Sequence, residues 1–118
     1  MWHDTAHLLD ILKAIRRIEA FVLGVEYEGF LDNAEKHWAV ASQLAVIGEA
    51  ANRLSDSFCE KHPGIPWREI IGMRNRVIHG YDEISWRMVW ETIQNDLPSL
   101  RKFAEERVSE QERPGSGE

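Results

Sequence analysis

The octet Arg74-Asn75-Arg76-Val77-Ile78-His79-Gly80-Tyr81 sets a permanent cation, an amide, an imidazole and a phenol close together in the chain. On a helix they fall within about two turns. That set of groups suits cleavage of a phosphodiester. Arg74 offers a planar fork of donors to phosphate oxygens. His79 is of the type that moves a proton near neutral pH. No acidic metal cluster adjoins the octet, so the chemistry it suggests runs without a metal or another cofactor.

These residues need a scaffold, and the pattern around them is helical throughout. Leu8, Leu9, Leu12, Ile15, Ile18, Phe21 and Val22 recur by threes and fours, predicting a helix over 4–23. Asp4 or Thr5 is placed to cap it and Gly24 to end it. Residues 25–31 read as a connection. Asp32-Asn33-Ala34-Glu35 has capping-box spacing with Asp32 as the cap. The helix it opens runs to about Leu54 and carries many small residues, with Gly48 suited to close helix packing. Residues 55–64 read as its end and a loop. Pro66 suits the start of the helix that bears the octet, and Gly80 its end. A further helix follows Ser85, with a kink expected at Pro98. The expected fold is all-α: an antiparallel bundle of four main helices plus a possible short helix near Trp67. The domain spans 1–108, and the polar segment 109–118 reads as a disordered tail.

On such a helix Asn75 and His79 share one face, so the amide could hydrogen-bond and orient the imidazole. Arg74 is rotated from His79 by roughly 140°. One regular helix cannot easily aim both at a single phosphate. Either the last turn distorts around Gly80, or a second copy supplies the missing group, which points to a homodimer. Tyr81 should lie near the same cleft with its hydroxyl accessible. The plainer alternatives are an Arg74 paired with Glu69 or Glu49, and a Tyr81 serving as a core aromatic.

Composition narrows the class. The chain has 118 residues, a formal net charge of −6 and 29% charged residues. That acidity argues against a general nucleic-acid coat but permits RNA as a substrate. Between Pro66 and Trp90, four arginines face three acids, so the octet's surroundings are locally basic. No apolar run is long enough for a membrane span. Lone Cys59 cannot form an internal disulfide, and a cytoplasmic protein is expected.

Other candidates are weaker. His3 and His7 have helical metal-ligand spacing but too few partners for a site. Cys59 carries no sign of activation. His37 and His62 are expected to face solvent. Trp38, Trp67, Trp86 and Trp90 read as core or dimer-interface aromatics. Glu49 is four residues from Arg53 and could pair with it, or could instead reach Arg74 across the bundle and fix its fork.

At the octet the chain resembles the HEPN superfamily, and within it the HepT-like (DUF86) branch. Arg74, the four residues Asn75 to Ile78, then His79, Gly80 and Tyr81 match that branch's Arg-X4-His-X-Tyr motif. Ile47-Gly48-Glu49-Ala50, Ile65-Pro66-Trp67, Met73-Arg74-Asn75 and Asp96-Leu97-Pro98 are similar to flanking motifs of the branch, so the likeness covers roughly residues 4–105. The resemblance implies a metal-independent endoribonuclease acting as the toxin of a type II toxin–antitoxin pair. The RNA 2′-hydroxyl would attack the adjacent phosphate, with His79 as general base or acid. Arg74 would stabilise the charged intermediate, and Asn75 would position His79 or the phosphate. The partner implied is an MntA-type nucleotidyltransferase antitoxin that transfers AMP to the motif tyrosine, here Tyr81. A competing reading is a non-catalytic helical subunit that presents nucleotide or substrate to a separate nucleotidyltransferase. Loss of His79 would abolish the first function and would be tolerated by the second if partner binding survives.

Overall fold

Apolar residues three and four apart turn one face of each long helix toward a shared core. The computed structural model describes residues 2–112, without the side chains of Trp2, His3 and Glu112. The helices in chain order are α1 (Trp2–Val22), α2 (Tyr27–Leu31), α3 (Ala34–Asn52), α4 (Asp56–Lys61), α5 (Trp67–Gly80), α6 (Trp86–Asn95) and α7 (Leu97–Glu112). A 3-10 turn, Tyr81–Glu83, joins α5 to α6. No strand occurs among the described residues, and the fold is all-α as expected.

The core is built mainly from α1, α3 and α7. Ile11, Ile15 and Ile18 of α1 are fully buried, as are Val40 and Ile47 of α3 and Ala104 of α7. Each such Ile or Leu contributes roughly 1.5–3 kcal/mol by leaving water. Arg16–Glu105 (3.5 Å) and Arg101–Glu19 (3.4 Å) flank the α1–α7 seam. By contrast, α5 lies on the outside of this core, packed on α3, and Ile70 is its one buried residue. A helix that buries so little can leave most of its positions polar.

Several local details differ from the sequence reading. Residues 25–31 hold a short helix, α2, whose Phe30 is fully buried. The cap of α3 is Asn33, not Asp32: the Asn33 side chain accepts from Lys36 N at 3.0 Å. Residues 56–61 form α4, capped by Ser55, which accepts from Phe58 N. Asp4 does not serve as a local cap alone. It accepts from Ser55 N (2.8 Å) and from Ser55 Oγ (2.7 Å), tying the start of α1 to α4. The short helices are therefore α2 and α4, while Trp67 opens α5 itself.

At Pro98 the chain forms two helices instead of one kinked one. Proline lacks the N–H that would bond back to Gln94. The helix accordingly breaks at Asp96, and Leu100 N resumes the pattern with Asp96 O at 3.2 Å. α7 continues to Glu112, inside the segment assigned to the tail, and residues 113–118 of that tail lie outside the described residues.

Candidate active site

Pro66 is the N-cap of α5, and its carbonyl accepts from Ile70 N at 3.1 Å. Its distance from α3 is set by Gly48. A Cβ added there would sit 3.0 Å from both Arg74 N and Ile70 O, and these are backbone atoms that cannot swing aside. Glycine thus lets the two backbones touch. The next residue along α3, Glu49, then meets Arg74, with Nε to Oε1 at 2.7 Å. The other carboxylate oxygen takes Arg53 Nη2 at 3.1 Å. The Arg74 and Glu49 side chains are 45% and 39% exposed. A pair that open to water contributes about 1 kcal/mol or less. Its effect is to hold the guanidinium in place. Both pairings that the sequence suggested for Glu49 are present, and they are simultaneous.

Asn75 and His79 are exposed, one turn apart, with His79 in the last turn of α5. The hydrogen bond expected between them is not made, and neither side chain has a partner among the described residues. The helix stays regular through His79, so the last turn does not bend to bring His79 round to Arg74. The two remain on different sides of α5.

Arg74 opens onto a shallow cleft of about 340 Å³ lined by Val46, Glu49, Arg53 and Ile78, among others. Of its lining side chains Ile78 is 52% exposed and Val46 37%; Trp38, 60% exposed, lies nearer the start of α3 against Tyr81. No group of His, Cys, Asp and Glu among the described residues is arranged to hold a metal ion. His3, half of the suggested metal pair, lies outside the described side chains, and His7 is half-buried. No described helix is long and apolar enough to cross a membrane.

Comparison with known proteins bears on the same stretch. The family model described as "Ribonuclease HepT-like" matches residues 11–107. The chain belongs to the HepT-like ribonuclease family. It is 40% identical over 95 residues to "Probable ribonuclease HepT" of Thermococcus cleftensis, covering 80% of this chain and 86% of that protein. It is 35% identical over 100 residues to "Putative RNase MJ1380" of Methanocaldococcus jannaschii, covering 85% and 92%. No solved structure matched the chain.

In this HepT-like chain the motif tyrosine is not freely exposed. Tyr81 lies edge-on between Trp38 and Trp86, each ring centroid 5.5 Å from its own. Trp86 also stacks on His37 at 4.2 Å, and His37 Nε2 bonds Phe30 O at 2.7 Å. His37 is therefore a half-buried packing residue, contrary to the expectation that it faces solvent. His62 also differs from expectation. It packs against Phe58 and Phe103, and burial, followed by the Arg107 charge, lowers its pKa. Burial, reinforced by Asp4, Asp56 and Glu60, raises the pKa of Cys59, which suits a bystander thiol. Sequence reasoning missed the clamp around Tyr81. Its one signal was Ser85, the cap that accepts from Met88 N and starts α6 at Trp86.

Proposed function

We propose that this chain is a metal-independent endoribonuclease and the toxin of a toxin–antitoxin pair. The observation that carries the reading is an Arg74 held in place by Glu49 on the same helix that exposes Asn75 and His79. Membership of a ribonuclease family supports it. In the proposed reaction the 2′-hydroxyl of RNA loses its proton and bonds to the adjacent phosphorus. The bond to the 5′-oxygen breaks, and that oxygen takes up a proton. The products are a 2′,3′-cyclic phosphate and a free 5′-hydroxyl. His79 handles one of the two protons, Arg74 neutralises charge on the phosphorane, and Asn75 orients the imidazole or a phosphate oxygen. An internal nucleophile of this kind needs no metal-activated water.

The regular course of α5 supports a site made by two chains. Ile78 of α5 and Val46 of α3 expose apolar surface beside the charged groups of the cleft, and Trp38 extends the exposed apolar face along α3. A second copy packed there would bring its own His79 toward the first copy's Arg74. Tyr81, packed on Trp38 just past the end of α5, is the proposed acceptor of AMP from an MntA-type nucleotidyltransferase antitoxin. A bulky anion on its hydroxyl would place negative charge at the His79 end of α5 and repel RNA phosphate.

The test is cleavage of single-stranded RNA in the presence of a chelator. Arg74→Ala and His79→Ala should each lower the rate about 100-fold or more, and both should relieve growth inhibition on expression without a partner. A wild-type chain that neither cuts RNA nor slows growth would refute the reading. For Tyr81, co-expression with the nucleotidyltransferase should add the mass of AMP to the wild type and not to Tyr81→Phe.

A further inference from the structure

Most arginines of this acidic chain are tied to a carboxylate: Arg16, Arg53, Arg74, Arg87, Arg101 and Arg107 each have one within ion-pair distance. Arg17 reaches the Gln43 amide. Among the described residues, Arg68 and Arg76 have no such partner. Both are on α5 and both are exposed. They are eight residues apart, about 12 Å along the axis. Midway between them is Gly72, where an added Cβ would meet nothing within 4 Å. A glycine in an open helical position lowers helix propensity and serves no internal packing. Its bare backbone does allow another chain to pass close by.

At about 100° per residue, Arg68, Gly72, Asn75, Arg76 and His79 fall in one stripe on α5, away from the side that packs on α3. The stripe leads from the imidazole toward the N-terminal end of the helix. A stacked strand rises about 3.4 Å per nucleotide, so this distance covers about three to four of them. Glu69, Glu83 and Asp96 lie in the cavities that Arg76 borders, yet none pairs with it. Its donors are therefore free for an external anion, while the nearby carboxylates offset part of its charge.

We infer that Arg68 and Arg76, with Gly72 between them, form a track for the phosphates of single-stranded RNA beside the scissile bond. This rests on the ribonuclease reading and adds a positioning element to it. Arg68 and Arg76 hold the strand in register while His79, at the end of the same stripe, acts on one phosphate together with an Arg74 from a second copy. Recognition is through the backbone, so it is indifferent to base sequence.

The test measures binding separately from cleavage. In a His79→Ala background, a labelled oligouridylate is titrated at several salt concentrations. Replacing both Arg68 and Arg76 by Gln should weaken binding about tenfold. The slope of log affinity against log salt should fall by about 0.7 for each phosphate that is no longer neutralised. Gly72→Leu should weaken binding while the melting temperature holds or rises. Arg87→Gln, on α6 and paired with Glu91, should leave the slope unchanged. In the cleaving enzyme the Arg68 and Arg76 substitutions should raise KM for long RNA far more than they lower kcat. An unchanged salt slope in the double variant, or a His79→Ala parent that does not bind the strand, overturns the track. A Gly72→Leu chain that binds like its parent overturns the close approach. A wild type that binds RNA with the expected slope but cuts nothing would instead sink the ribonuclease reading.

Discussion

Two aromatic clusters stand at the two ends of α5, and they use similar side chains for opposite purposes. At the start of the helix, Phe58, His62, Trp67 and Phe103 pack with ring centroids 4.7–6.1 Å apart. The polar edge of Trp67 is satisfied internally, with Nε1 donating to His62 O at 3.0 Å. Arg107 covers Phe103 from outside at 5.2 Å. This end ties α4, α5 and α7 together and closes. At the other end, Phe30, His37 and Trp86 form a similar base, but the cluster continues outward through Tyr81 to an exposed Trp38. One end is cohesive, and the other holds a phenol between a half-buried and an exposed tryptophan. The difference shows that aromatic content alone does not mark a functional surface; the degree of closure does.

Substitution should separate the two ends. Trp67→Ala should cost about 3 kcal/mol in urea denaturation, as for other truncated aromatics. Trp38→Ala should cost less than about 1 kcal/mol, because that side chain is already largely in water. Equal losses would break the contrast.

The closed end should also respond to acid. His62 has a folded-state pKa below its ordinary value of 6.5, because burial penalises the charged ring. The folded chain therefore binds fewer protons than the unfolded one. The stability this brings is complete above the unfolded value and is lost as pH falls through it toward the lower folded value. Melting temperature measured across that window should decline, and His62→Gln should flatten the decline. A wild-type curve that rises on acidification would contradict the assignment.

The smallest effect is expected at Tyr81→Phe. Its hydroxyl has no hydrogen-bond partner among the described residues, so removal should change stability by less than about 1 kcal/mol. A larger loss would move Tyr81 into the cohesive class with Trp67.

The long helices were readable from apolar spacing, because their burial follows a 3.6-residue period. Leu8, Ile15 and Ile18 of α1 announce themselves in this way. Gly48 was legible too, since a glycine inside a small-residue helix has few uses besides close approach. The short helices were not. α2 and α4 are five and six residues long, too short to show a period. The solvated reading of His37 failed for a related reason. Its burial depends on Trp86, 49 positions away, and no local pattern encodes that stack. At the site, the types and spacing of Arg74, Asn75 and His79 were visible, and so was the option of Glu49 beside Arg74. What spacing could not give was the sharing of Glu49, which needs two helices at a set distance.

That sharing has an electrostatic consequence. Arg53, Glu49 and Arg74 form a triad of two cations and one carboxylate, so it retains a single positive charge. A phosphodiester carries one negative charge. Occupied, the triad is electroneutral; empty, its single positive charge is balanced in the same cleft only by Asp10, on a molecule whose net charge is −6. The remaining field repels polyanions at long range and welcomes one phosphate at short range. Encounter with RNA should therefore speed up as salt screens the repulsion, even as salt weakens the contact once formed.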